Sequence, residues 1–136
     1  MKISSPETRV NLPVDKIFKM ASNCQNFVHY MTDHVKDVSA TEDSCTFTIE
    51  NIAKVTLKIE EKVLDKSIRF VAENDRNIPF FLDLNFNALA ENKTEVEAHL
   101  EVDIPLILRP IIQKPLKNFM ETLSEKLKNY AENIGS

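Results

Sequence analysis

The sequence predicts an α+β protein, with an antiparallel sheet of seven strands whose apolar face is covered by one long C-terminal helix. Three observations carry this. From Phe80 to Ile104 apolar and polar residues alternate: Phe80, Leu82, Leu84, Phe86 and Ala88 share one face, and Asp83, Asn85 and Asn87 the other. After a turn at Asn92-Lys93, Val96, Ala98, Leu100, Val102 and Ile104 oppose Glu95, Glu97, His99, Glu101 and Asp103. A period of two marks strands with one wet and one apolar face. The same alternation returns upstream in shorter runs closed by polar turns, which is the pattern of an antiparallel meander. Finally, between Ile107 and Glu132 a stripe of Leu108, Ile112, Leu116, Phe119, Leu123, Leu127 and Tyr130 recurs at spacings of three and four, an amphipathic helix. The apolar sheet face needs a cover, and this helix is the one large cover in the chain. An apolar space between the two follows.

The elements fall in order. Ile3 to Val10 reads as a first strand, and Pro6 inside it points to an edge or a bulge. Pro13 suits the first turn of a helix, Asp15 favours its positive end, and Ile17, Phe18, Met20 and Ala21 form its apolar side. Ser22 and Asn23 break that helix and can cap a second short one carrying Phe27, Val28, Tyr30 and Met31. Strands follow at Val35 to Ala40, around Cys45, Phe47 and Ile49, around Val55, Leu57 and Ile59, and, past a turn at Asp65-Lys66, around Ile68, Phe70 and Ala72. A loop over 74–79 leads into the two long strands. In the last helix Ile111, Pro115 and Met120 widen the first half of the stripe, and Pro115 predicts a kink.

Composition narrows the chemistry. The 136 residues suit one domain over 1–136 with a real core. Seventeen basic residues are scattered among acids at a net charge of -4, so no basic stripe invites nucleic acid. The single glycine, Gly135, excludes a dinucleotide fingerprint, a Walker-type loop and a glycine-flanked nucleophile elbow. No run approaches the roughly 20 apolar residues of a membrane span. Met1 to Pro6 is polar and lacks a signal core, so a cytoplasmic location is expected. Cys24 and Cys45 fit no metal spacing and read as small buried hydrophobes. His29 and His34 lack a third ligand at a convincing spacing. No metal, cofactor or catalytic residue is assigned.

Facing inward are Phe47, Val55, Leu57, Phe70, Leu82, Phe86 and Leu100 from the strands, with Ile112, Leu116 and Met120 from the helix. They are either plain core or the wall of a pocket for an apolar small molecule. The inward positions of the best strands carry no Asp, Glu, His or Lys, which counts against acid–base catalysis. Arg109 and Lys114, in the first turns of the last helix, are either solvated or placed to meet a carboxylate or phosphate on an amphipathic ligand.

Certain local runs resemble a known family. Leu12-Pro13-Val14-Asp15-Lys16-Ile17-Phe18 looks like the lead-in to the first helix of the START-like superfamily, also called SRPBCC, Bet v 1-like or helix-grip. Ser22-Asn23-Cys24-Gln25-Asn26-Phe27 is similar to its break between two short helices. Asp103-Ile104-Pro105, then Gln113-Lys114-Pro115-Leu116, resembles the strand-to-helix passage of small bacterial members related to polyketide cyclases. The order of elements carries most of the match, which covers nearly the whole chain. The resemblance implies a curved sheet gripping the terminal helix around a cavity. It implies a cavity mouth near the second short helix, which His29 and His34 flank; a polar rim there has Asn26 and Tyr30 as companions, and Arg109 of the last helix is counted with the rim. Members bind lipids, sterols, isoprenoid quinones, plant hormones or polyketides; some cyclise or dehydrate polyketides, and others bind chaperones or ribosomes. The expected function is binding of a hydrophobic or amphipathic small molecule, with a cyclase/dehydratase-type enzyme or a protein-interaction module as alternatives.

Overall fold

The computed structural model describes residues 2–5, 7–26, 35–49, 53–75, 78 and 80–135. Its strands are β1 (Lys2–Ser4), β2 (Thr8–Val10), β3 (Val35–Ala40), β4 (Ser44–Ile49), β5 (Ala53–Val63), β6 (Ser67–Asn74), β7 (Phe80–Ala90) and β8 (Lys93–Val102). They form one antiparallel sheet in the order β1-β8-β7-β6-β5-β4-β3, with β2 also paired to β8. Helix α1 spans Val14–Ala21, and the C-terminal helix spans Arg109–Gly135, 27 residues.

Among the described residues the strands number eight rather than the expected seven, because the first one is broken. Ser4 lies opposite His99 and Thr8 opposite Val96, so four steps on one side face three on the other. The extra residue is a bulge. Ser5 bridges it: its backbone N–H donates to the Ala98 carbonyl at 2.9 Å, and its Oγ accepts from the Ala98 N–H at 3.1 Å. The sequence puts Pro6, which has no N–H to give the ladder, in this gap.

Pro13 stands at the N-cap of α1, and its carbonyl accepts from the N–H groups of Lys16 and Ile17 at 3.1 and 3.2 Å. The buried side is Ile17, Phe18, Met20 and Ala21, as the spacing predicts. Asn23 then caps a 3-10 turn at Cys24–Asn26, its Oδ1 accepting from the Gln25 N–H at 3.0 Å. The rest of the expected second helix, with Phe27, Val28, Tyr30 and Met31, lies outside the described residues.

Alternation along the strands matches the burial. Leu82, Leu84 and Phe86 of β7 and Val96, Ala98, Leu100 and Val102 of β8 are buried in the core. Thr94 shares that face at zero exposure because its Oγ1 donates to the Leu12 carbonyl at 2.8 Å. Ala88, expected inside, is exposed at the outer end of the β7–β8 hairpin. The C-terminal helix docks through Ile112, Leu116, Phe119, Met120, Leu123, Leu127 and Ala131. Phe119 stacks on Phe47 of β4, ring centroids 5.7 Å apart at 15°. Phe18 of α1 meets Phe86 edge-on at 5.7 Å and 75°.

The start of the helix departs from expectation. Ile111 does not widen the packed stripe; it is 67% exposed. It sits about 100° round the helix from Ile112, and only one of the two can face the sheet. Helix continues through Pro115. The carbonyl that loses its donor there belongs to Ile111, on the exposed side where water can replace it.

Candidate functional site

Among the described residues, two cavities lie between sheet and helix. The larger is lined by Ile49, Ala53, Val55, Asn74, Ile78, Phe80, Leu100, Val102, Ile104, Ile112 and Leu116. Of the ≈ 380 Å³ around it that no atom fills, only ≈ 20 Å³ is wide enough for the centre of a water molecule. The smaller, ≈ 10 Å³ by the same measure, is lined by Ala21, Cys24, Cys45, Leu57, Phe70, Leu82, Leu84 and Leu123. Each is room for about one water and far below the roughly 300–1,000 Å³ of a small-molecule pocket. Among the described residues, the side chains that would line the gap between sheet and helix largely fill it at these two places.

The ten inward residues separate into three groups, all buried. Val55, Leu100, Ile112 and Leu116 line the larger cavity. Leu57, Phe70 and Leu82 line the smaller. Phe47, Phe86 and Met120 line neither, because the two phenylalanines are engaged by Phe119 and Phe18 and Met120 is wholly enclosed. Sequence reasoning missed Ile49, Ala53, Asn74, Ile78, Phe80, Val102 and Ile104 as lining residues. For Phe80, Val102 and Ile104 the signal was there, in the alternation itself. For Asn74 and Ile78 it was not, since only the fold brings that loop over the cavity.

Asn74 is the one polar side chain among the described lining residues. It clamps its own loop: Nδ2 donates to the Ile78 carbonyl, and Oδ1 accepts from the Ile78 N–H at 3.1 Å. The half-buried Ala53, Asn74, Ile78 and Phe80 mark the side where this cavity approaches the surface. No buried side-chain nitrogen or oxygen among the described residues lacks a hydrogen-bond partner, so none is held in reserve as a ligand anchor.

The expected rim is not one rim. Asn26 donates from Nδ2 to the Met20 carbonyl at 2.9 Å and accepts from the Tyr130 hydroxyl at 3.4 Å. Arg109 donates from Nε to the Ile104 carbonyl at 3.2 Å. Tyr130 and Arg109 are 21 positions apart on one helix, about 30 Å at ~1.5 Å per residue, so Asn26 and Arg109 mark opposite ends of the gap. His29 and Tyr30, like His34, lie outside the described residues.

Cys24 and Cys45 are free, buried and side by side on the smaller cavity. The neighbouring Cys24 thiol, then burial, pushes the Cys45 thiol well above its usual range; Cys45 in turn lowers Cys24 while burial opposes it. Buried and paired in this way, they are placed as packing groups, not as exposed nucleophiles.

On the outer face Glu7, Glu95 and Glu97 bring carboxylate oxygens within 4.8 Å of one another. His99, expected to be solvated, is half-buried and bridged: Ser4 Oγ lies 2.7 Å from its Nδ1, and Glu97 Oε2 3.2 Å from its Nε2. The charge of Glu95, with a hydrogen bond and charge from Glu97, raises the Glu7 carboxyl above its ordinary 4.5. The folded protein thus holds this proton to higher pH than the unfolded chain. The resulting stabilisation is complete below pH 4.5 and is lost as pH rises through the raised value. Glu7→Gln is expected to melt at a higher temperature than the parent at neutral pH and low salt. The two should converge below about pH 4, where Glu7 is protonated in both states. Equal melting at neutral pH would show that the three carboxylates do not repel.

No family model matches the sequence, and no curated protein does. Solved structures do match by shape. A START superfamily protein from Mycobacterium smegmatis superposes with a TM-score of 0.75 at 14% identity, covering 98% of each chain. An aromatase/cyclase from a Streptomyces species gives 0.78 at 8% identity, over 97% of this chain and 93% of that one. A truncated norcoclaurine synthase from Thalictrum flavum gives 0.75 at 9%, over 96% and 92%. The class is thus an α+β protein whose antiparallel sheet grips a terminal helix. The chain has the helix-grip fold that the START superfamily protein from Mycobacterium smegmatis also has. Among the described residues no helix is long and apolar enough to cross a membrane.

Proposed function

We propose that this protein binds a hydrophobic or amphipathic small molecule between the sheet and the first half of the C-terminal helix. One observation carries the reading: the larger cavity has an almost wholly apolar wall, with Asn74 its sole polar side chain among the described residues. Such a wall rewards burial of apolar surface, at about 25 cal/mol per Å², and offers almost no polar group to a polar guest. The small volume among the described residues adds a condition. A guest larger than a water fits between these described walls only if they part, so binding there is coupled to a shift of the helix start. Lipid, isoprenoid and polyketide-like molecules meet the description.

The enzyme reading draws less support. The larger cavity presents no acid or base among its described residues, and the two thiols on the smaller one are paired. General acid–base chemistry needs such a group within hydrogen-bond reach. Native mass spectrometry of freshly purified protein, followed by organic extraction, tests the proposal. The expected result is a bound apolar mass, or uptake of an added fatty acid or quinone that raises the melting temperature. Protein that carries nothing and whose melting is unmoved by a panel of apolar guests would sink it.

A further inference from the structure

The segment linking β8 to the C-terminal helix, with the first turn of that helix, exposes three large aliphatic side chains: Leu106 at 76%, Ile107 at 82% and Ile111 at 67%. Ile107 and Ile111 are four apart, and Pro105 and Pro110 beside them are exposed as well. Leaving such a cluster in water is unfavourable, and its charge setting is distinctive. Between Asp103 and Glu121 the sequence holds Arg109, Lys114 and Lys117 and no acid, in a chain whose net charge is -4. The other exposed aliphatics, Val63, Leu64 and Leu89, sit in segments that carry acids. Lys114 and Lys117 are exposed, and Arg109 is tied by Nε to the Ile104 carbonyl at the base of the segment.

We infer that this segment is a docking prong for a bilayer surface carrying anionic lipid, the aliphatic side chains entering the headgroup–acyl boundary and the three cations meeting lipid phosphates. An apolar tip with a basic collar is complementary to such a surface in both respects. A second copy of the chain is not. A two-fold contact through this face would bring both sets of Arg109, Lys114 and Lys117 together, with no acid between positions 103 and 121 to offset them. The position also serves a purpose, since Ile104, Ile112 and Leu116, at the base of the prong and in the helix beyond it, are walls of the larger cavity. The inference stands apart from the ligand-binding reading, because its test uses protein without guest.

The test is co-sedimentation of the full chain with vesicles of phosphatidylcholine alone and of equal parts phosphatidylcholine and phosphatidylglycerol. The expected result is binding to the anionic vesicles only, weakening as salt is raised. Ile107→Asp, an exposed change that leaves the far-ultraviolet spectrum native, should abolish it. The Lys114→Gln/Lys117→Gln double variant should bind about 30-fold more weakly. Wild-type protein left in the supernatant, equal binding to neutral vesicles, or undiminished binding by a folded Ile107→Asp would each overturn the inference. So would a dimer in analytical ultracentrifugation that Ile107→Asp dissociates, which would assign the face to a second copy.

Discussion

Phe119→Ala is expected to lower the free energy of unfolding by about 3–5 kcal/mol, the range for deleting a buried aromatic side chain. Phe119 is the point at which the C-terminal helix is stacked on the sheet. Its ring lies 5.7 Å from that of Phe47, nearly parallel, and both are buried. Removing it forfeits transfer energy, leaves a void that rigid neighbours on both sides cannot fill, and breaks an aromatic pair worth ~0.5–1.5 kcal/mol beyond its area. Against a total stability of about 5–15 kcal/mol this is a large fraction. Urea denaturation is the measurement, and the midpoint should fall with little change in slope. The cycle of Phe119→Ala with Phe47→Ala should return a coupling of about 0.5–3 kcal/mol. A single-variant loss under about 1 kcal/mol would mean that the helix is not held at this point, and the gripping arrangement would fail with it.

Leu116→Ala should cost about 2–5 kcal/mol in the empty protein, and part of that loss should be recoverable. Leu116 is buried on the helix and lines the larger cavity, so its truncation enlarges an existing apolar void in place of creating an isolated one. A dry apolar cavity binds a small apolar guest such as benzene. A guest at a hundred times its dissociation constant restores about 2.7 kcal/mol. Leu127→Ala is the control: Leu127 is equally buried on the same helix but lines neither cavity. Thermal melts with and without benzene should show rescue of Leu116→Ala and much less of Leu127→Ala. Equal rescue of both would mean that the space beside Leu116 has no special capacity for a guest, and the proposed binding site would lose its main support.

The long strands were legible because their signal is local. Each residue of β8 declares its face by its neighbours two positions away, and Val96 through Val102 are buried as the alternation requires. The docked stripe of the helix was legible for the same reason. Where prediction slipped, the deciding contact was remote in sequence. Pro6 marked trouble in the first strand, but a bulge that splits it in two depends on Ser5 meeting Ala98, 93 residues away. His99 reads as a surface residue until Ser4 arrives across the sheet edge. The inward list mixed cavity wall with solid core because parity says which way a side chain points, not whether a ring such as Phe119 already occupies the space.

From the sequence alone came the fold class, the order of the strands and their inner face, and the apolar character of whatever lies under the helix. These follow from periodicity, which registers how a backbone exposes its side chains locally. The tertiary structure decided the rest. It left Ile111 in water, set Asn26 and Arg109 at opposite ends of the grip, gathered Glu7 against Glu95 and Glu97, and narrowed the larger cavity among the described residues to the size of a single water. Each of these depends on how far apart packed elements sit, a distance set by whole side chains meeting across the core and not by the pattern along any one segment.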